Sequence, residues 1–318
     1  MTQHYARLIA VAIAAVSFSP PITAQQEQAP SPTTLEALVE TLGGRVSQNE
    51  QGEIVGVRLS GPEVTDAGLA HLAGLTALET LFLGVTQVTD AGLAHLAGLT
   101  ALKDLVISVN QWDPIGTQVT DAGLAHLTGL TALEKLWIGQ SQVTDAGLAH
   151  LAGLTALKDL NLMNNRITDA GLAHLAGLTA LKDLILIGTQ VADAGLAHLA
   201  ALAALERLFL YGTPITGPGL AHLTGLTALK ELSLDNTQIT DAGLAHLTGL
   251  TALEKLGLSY SHVTDAGLVH LAGLTALKEL DLTRTDVTDV GAAELQKALP
   301  NCDIVLREPV PPPPPPSQ

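Results

Sequence analysis

Leucine recurs at every third position from Leu69 through Leu72 and Leu75 to Leu78, and then alternates with other residues at Leu81 and Leu83. The first spacing predicts one buried face of a short helix and the turn after it, the second a strand with one buried face. Thr65 and Asp66 precede the run as helix-start residues, where a carboxylate is favoured by free N–H groups and the helix dipole. Gly74 is expected to end the helix in a left-handed conformation. The unit Val64 to Gln87 returns, barely altered, at Val88, Val119, Val143, Ile167, Val191, Ile215, Ile239, Val263 and, in degenerate form, Val287. The step is 24 residues throughout, except that Val88 to Val119 is seven longer. A unit of this size cannot bury its own apolar face, so a fixed period implies a solenoid. Parallel strands stack about 4.8 Å apart and helices need about 8–10 Å, so the stack must curve with its strands inside.

The run LxxLxLxxT at Leu78–Thr86, followed by TDAGLxxL, resembles the leucine-rich repeat in its bacterial form over residues 54 to 306. The resemblance implies an α/β fold, a right-handed horseshoe with a concave parallel β-sheet and short convex helices. It is loosely similar to the internalins, without a sortase-type anchor at its C-terminal end. The family's asparagine ladder is mostly replaced here by Thr86, Ser141, Thr189, Thr213, Thr237, Ser261 and Thr285. Asn165 is kept, and the second copy offers Asn110 or Thr117. Hydroxyls still bond neighbouring backbone groups, so the horseshoe is expected to survive with a slightly different turn.

The ends have their own patterns. Residues 1–24 carry Arg7, an apolar run from Leu8 to Val16 and a small-residue exit at Ala24, which reads as a signal peptide too short to span a membrane. Residues 25–33 are a polar spacer. Residues 34–63 form an N-terminal cap and first strand. Within it a capping box, Thr33 with Glu36, opens a helix ended by Gly43–Gly44, and strands at Arg45 to Gln48 and Glu53 to Leu59 flank a turn. Residues 64–307 hold the repeats and a C-terminal cap, with a last helix at Val290 to Leu299 and a closing strand at Asp303 to Leu306. Residues 308–318 are a proline-rich tail. The chain is thus expected to be exported, to the periplasm, the cell surface or the medium, with no membrane span once its leader is cleaved.

Composition changes the picture little, and charge more. The net charge of −16 argues against nucleic acid as a partner. The lone Cys302 reads as a small packed residue. Three columns run the length of the solenoid. Histidines from His71 to His270 lie on the convex side, too far apart for one metal ion. Aspartates from Asp66 to Asp289 lack the converging oxygens that calcium needs, and helix-start electrostatics accounts for them. A charge ladder (Glu79, Lys103, Glu134, Lys158, Lys182, Glu206, Lys230, Glu254, Lys278) alternates in sign except from Lys158 to Lys182. The adjoining residues, such as Asp104, Lys135, Asp159, Asp183 and Arg207, carry mostly the opposite sign, so cross-strand ion pairs are expected. No column unites a nucleophile with a base, and no cofactor or metal constellation appears.

The copies diverge where the strands face outward. One row reads Phe82, Val106, Trp137, Asn161, Ile185, Phe209, Ser233, Gly257, Asp281, and the next Gly84, Ser108, Gly139, Met163, Ile187, Tyr211, Asp235, Ser259, Thr283. Past the leader, the aromatic residues are Phe82, Trp112, Trp137, Phe209, Tyr211 and Tyr260, all in these rows, an adjoining loop or the insertion Asn110 to Gly116. Trp and Tyr are common interface anchors. The sequence therefore points to a non-catalytic monomer that binds a protein, or an envelope glycan, on its concave face. The expected contacts are Phe82, Val106, Trp112, Trp137, Met163, Ile185, Ile187, Phe209, Tyr211 and Tyr260. These are expected to expose several hundred Å² of apolar surface, roughly the largest patch usual on a monomer, with an acidic margin at Asp235 and Asp281. Truncating Trp137 and Tyr211 should then leave stability almost unchanged. The rival reading is a structural envelope component that packs through its convex or end surfaces.

Overall fold

In the computed structural model, residues 34–107 and 117–306 are described. The leader, the spacer, the capping-box Thr33, the insertion with Trp112, and the proline tail lie outside them.

Twelve strands form one sheet in strict sequence order. They are β1 (Arg45–Gln48), β2 (Ile54–Ser60), β3 (Thr80–Gly84), β4 (Asp104–Val106), β5 (Lys135–Trp137), β6 (Asp159–Asn161), β7 (Asp183–Ile185), β8 (Arg207–Phe209), β9 (Glu231–Ser233), β10 (Lys255–Gly257), β11 (Glu279–Asp281) and β12 (Asp303–Val305). The β1–β2 hairpin is antiparallel and every later pair is parallel, in the register the 24-residue step dictates: Leu81 lies beside Leu105, then Leu136, Leu160 and so on. The sheet does not close on itself. The inward leucines of each strand meet Leu69, Leu72 and Leu78 and their counterparts in one continuous core running from Val39 to Cys302. Stacking is the only way such a thin layer can be dried on both sides.

The convex segments are shorter and tighter than regular helices. Asp66–Leu69 is a single α-turn that continues as a 3₁₀ turn over Ala70–Leu72, as it does from Asp145, Asp169 and Asp241. The turns at Asp90–Ala94 and Asp121–Ala125 are α alone, and those at Gly195–Leu199, Pro218–Leu223 and Gly267–His270 are 3₁₀ alone. Gly74 is not left-handed. The turn ends through Ala73 at φ −56°, and Ala201 takes the glycine's place in a later copy. The left-handed residue sits instead just after each strand, at Val85, Gln140, Asn164, Gly188, Gly212, Asn236, Tyr260 and Arg284. There the chain reverses so that the next side chain, the hydroxyl-ladder residue, can reach back. Thr189, Thr213, Ser261 and Thr285 donate to the carbonyls of Leu186, Leu210, Leu258 and Leu282 at 2.6–2.7 Å. Asn165 bonds both its own turn and that of the previous repeat, through Leu162 O and Ile138 O. Of the two alternatives in the second copy, Thr117 takes the ladder position. It is buried, and its N–H donates to Gln140 O.

At one end of the sheet a helix at Thr34–Thr41 packs against the β1–β2 hairpin, and at the other a helix at Asp289–Ala298 precedes β12. No described helix is long and apolar enough to cross a membrane.

Candidate functional site

The concave face is built by the outward positions of β3 to β11, and it divides into three parts. Its first part is a small second core. Met163, Ile185, Ile187, Phe209 and Tyr211 pack against one another as a buried cluster, each no more than 7% exposed, and Val106 and Trp137, outside that cluster, are buried as well. The expected open apolar strip is therefore absent. Side chains on adjacent strands stand about 4.8 Å apart, and large apolar groups in two neighbouring columns cover one another. Trp137 is further tied down: its Nε1–H donates to Asp159 Oδ1 at 2.8 Å, and Lys135 lies 5.5 Å from its ring centre. Truncating Trp137 or Tyr211 opens a cavity and costs about 3–5 kcal/mol, against the expectation of unchanged stability. Of the sequence-derived contacts, Phe82 and Tyr260 keep partial exposure, and Arg58 stacks 4.2 Å from the Phe82 ring centre. Trp112 lies outside the described residues.

The second part is polar but not an open acidic margin. Asp235 is completely buried. Its carboxylate accepts from Ser233 Oγ at 2.6 Å, Ser259 N at 2.9 Å and Ser259 Oγ at 2.8 Å. It fills the space over Gly257, where a Cβ would meet it well inside contact distance. Burial pushes this carboxyl above the usual range, with Asp281 adding to the rise, although the serines work against it. Asp281 is half-buried and accepts from Thr283 N at 2.8 Å.

The third part is the charge ladder, and here expectation and structure agree. Lys103 pairs with Glu79 (2.9 Å), Lys158 with Glu134 (2.7 Å), Lys182 with Glu206 (3.1 Å) and Lys278 with Glu254 (2.6 Å). In the adjoining row Lys135 pairs with Asp159 (3.4 Å), Arg207 with Asp183, and Lys255 with Glu279 (3.3 Å). The break falls at the β6–β7 step in both rows, since Asp159 also lies beside Asp183. Beyond it the signs form a checkerboard over β7 to β10, around a cavity of about 390 Å³ whose walls begin with Lys182, Asp183, Glu206 and Arg207. Glu206 is held below its ordinary value by hydrogen bonds from Lys230 and Lys182. Glu231, more deeply set, is pushed up by burial.

The aspartate column does something the sequence reading missed. Asp145 does not serve its own turn. Its Oδ1 accepts from Thr168 N in the following repeat at 2.8 Å, and its Oδ2 from the Thr168 hydroxyl at 2.5 Å. With its proton committed, the Thr168 oxygen accepts from Ala170 N at 3.3 Å and caps the next turn. The same clamp joins Asp66 to Thr89, Asp90 to Thr120, Asp121 to Thr144, Asp241 to Thr264 and Asp265 to Thr288. The bonds from Thr288 hold Asp265 below the usual carboxylate range. Each clamp also demands the glycine of the next TDAG, because a Cβ at Gly171 would collide with Asp145.

Cys302 is buried, and burial pushes its thiol up to about 11, with Asp303 and Glu279 adding to the rise. It is a packing residue.

An open sheet of sequential strands, parallel after its first hairpin, backed by short turns and stitched at most steps, defines a repeat solenoid. Leucine-rich repeat family models match residues 153–176 and 227–287. The same 24-residue unit that these models match recurs through the rest of the described solenoid. Among solved structures it is similar to an internalin of Listeria monocytogenes, at 20% identity over 85% of this chain and 92% of that one, with a TM-score of 0.55. A second Listeria monocytogenes internalin is 29% identical over 68% and 83% of the two chains, with a TM-score of 0.52. A leucine-rich repeat protein of Leptospira interrogans is 22% identical over 73% and 56%, with a TM-score of 0.58. No curated protein matches the chain. The fold is that of a protein-interaction module.

Proposed function

We propose that this chain is an exported, non-catalytic module that binds a protein on its concave face. One observation carries the reading. Nine copies share a nearly identical convex segment, while the two outward strand rows differ from copy to copy, so variation is concentrated on one face. The burial of most apolar side chains there changes how that face would bind. The second core shapes and stiffens the floor. Contact would come from what stands above it: the checkerboard around the cavity, with Phe82 and Tyr260 as partly exposed rings. Alternating signs set specificity and register more than raw affinity, because a partner whose charges are out of step meets like charges. The leader and the resemblance to internalins support export.

The test is capture from an envelope extract of the producing bacterium, with wild type beside two variants. One exchanges charges in the checkerboard (Glu206→Lys with Lys230→Glu), and the other removes the exposed rings (Phe82→Ala with Tyr260→Ala). A protein retained by wild type and lost from either variant, with melting unchanged, supports the proposal. Equal capture by all three overturns the concave site and favours the structural envelope role.

A further inference from the structure

The first strands of the concave face carry a pair of charges that the ladder does not use. Every lysine and arginine in β4 to β11, or at their starts, has a carboxylate partner in a neighbouring repeat, from Lys103 with Glu79 to Lys278 with Glu254. Arg45 on β1 and Arg58 on β2 depart from that pattern. They lie directly opposite one another in the antiparallel hairpin, and both are exposed. Neither has an ion pair among the described residues. Residues paired in this way share a face, with Cβ atoms about 4.5–5.5 Å apart, and like charges there weaken the pairing. The shared face is the concave one, since Arg58 is in register with Phe82 and its guanidinium stacks 4.2 Å from that ring centre.

The surroundings leave both groups available. The other outward positions of β1 to β3 are neutral, and three of them, Ser47, Ser60 and Thr80, are exposed hydroxyls. The acids of the N-terminal region and of the first ladder step are engaged elsewhere. Glu36 accepts from Gln48 Nε2 at 2.6 Å, Glu53 from Asn49 Nδ2 at 2.9 Å, and Glu79 pairs with Lys103 at 2.9 Å. A guanidinium lying on a ring is held in place with its N–H edge free for in-plane bonds. Two cations set against each other without an acid, in a chain of net charge −16, lack only an anion from outside.

We propose that Arg45 and Arg58 form a receptor for side-chain carboxylates on an acidic segment of the protein partner, which crosses β1 and β2. This rests on the concave face being the partner-binding surface. Charge complementarity selects the occupant. Each planar fork matches a carboxylate with two parallel bonds, and on a protein partner the oxyanions on offer are Asp and Glu. Binding also removes the repulsion between the two arginines.

The experiment titrates the full chain by calorimetry with acetylated, amidated hexaglutamate, whose only carboxylates are side chains. Physiological salt, with a Debye length of about 8 Å, screens the overall negative charge of the chain. Wild type is expected to bind, and Arg45→Gln or Arg58→Gln to weaken binding at least about 10-fold. Arg45→Glu should abolish binding and at the same time raise the melting temperature, because it supplies the missing carboxylate within the hairpin. A folding defect would lower that temperature. No binding by wild type, binding that survives the Gln or Glu variants, or tighter binding of inorganic phosphate than of the peptide overturns the receptor. The two readings fail separately. An envelope protein captured through the checkerboard, with no hexaglutamate bound, overturns the receptor alone. Hexaglutamate bound by wild type and lost from Arg45→Gln, in a chain that captures no envelope protein, supports the receptor and overturns the concave partner.

Discussion

Two seams of the solenoid differ in one carboxylate and in the backbone that would carry it, since Gly217 sits at φ 126° where the other repeats have a helical aspartate. Between the repeats of Asp145 and Thr168 the clamp is complete: two bonds cross the seam, and the threonine oxygen caps the next turn. Between the repeats of Gly217 and Thr240 the carboxylate is missing, because the motif reads TGPG instead of TDAG. Thr240 has nearly the same extended backbone as the other caps, φ −122° and ψ 175°, yet its side chain caps nothing. Thr65 behaves the same way, at the start of the first repeat, with no aspartate before it. A threonine at a turn start is therefore not sufficient. The preceding repeat's aspartate must take the hydroxyl proton before the oxygen points at the free N–H. The short convex turns are held from the neighbouring repeat as much as by their own sequence, so coupling between repeats is built into them.

The largest effect that would break this comparison comes from the complete seam. Gly171→Ala puts a Cβ onto Asp145 Oδ1 and 3.2 Å from the Asp145 backbone, and should cost about 3 kcal/mol by overpacking. Asp145→Ala removes both cross-seam bonds and should cost about 2 kcal/mol. The two changes share one space, so the double variant should cost clearly less than their sum. Denaturant unfolding of all three variants measures the coupling. Additive costs would mean that the glycine and the carboxylate are independent.

A repair sharpens it. Gly217→Asp with Pro218→Ala restores the motif. The turn must then leave the φ of 126° that Gly217 holds for the helical entry of the other repeats, which also relieves the 3.1 Å approach of a residue-217 Cβ to Gly243 Cα. The melting transition should rise, with a gain of about 1–2 kcal/mol from two new bonds and a working cap. Adding Gly243→Ala should abolish that gain. A repaired chain no more stable than wild type would show that the clamp contributes geometry without stability.

The buried carboxylate of Asp235 gives a smaller effect that depends on pH. Its native value is raised by burial, so the native state holds its proton more tightly than the unfolded chain does. That contribution is complete below the unfolded value and is lost as pH rises through the folded one. Asn can keep the acceptor for Ser259 and offers a donor to Ser233, without titrating. Asp235→Asn should therefore be more stable than wild type at about pH 8, with a margin that shrinks toward about pH 4. A margin independent of pH would place the ionisable group elsewhere. The clamp at Asp265 runs the other way. Asp265 is depressed by Thr288, and its contribution is present above the unfolded carboxylate value and lost as pH falls through the native one.

Much of this fold was legible because one period fixes everything that repeats. The leucine spacing placed every strand and its register, and the alternating signs of Glu79, Lys103 and their successors foretold the cross-strand pairs. Two things were hidden for identifiable reasons. The partner of Asp145 lies 23 residues away in Thr168, whereas Thr-Asp at the start of a turn invites a local reading. The pattern predicts exposed concave rings because alternation tells inside from outside but not what covers the outside. Met163, Ile185, Ile187, Phe209 and Tyr211 occupy two adjoining rows on three consecutive strands. That contiguity was the sign that they would bury one another.

The smallest effect lies at the residue that follows each strand. The residue after each strand is left-handed in every described repeat, and two copies use glycine there, Gly188 at φ 66° and Gly212 at φ 68°. The first copy uses Val85 at φ 54°, a β-branched residue in a region that disfavours it by about 1–2 kcal/mol. Val85 is 38% exposed, so little packing offsets that strain. Glycine at this position relieves it but gains freedom in the unfolded chain, worth about 0.5–1 kcal/mol in the opposite direction. The balance should leave Val85→Gly more stable by about 0.5–1 kcal/mol. The reverse exchange is not symmetrical. Gly188→Val restores the strain and also drives a Cβ into Asn164 Oδ1, so it should cost more than Val85→Gly gains. Paired unfolding curves would show both signs. A destabilised Val85→Gly would mean that the valine methyls contribute more to the rim of the sheet than their exposure indicates.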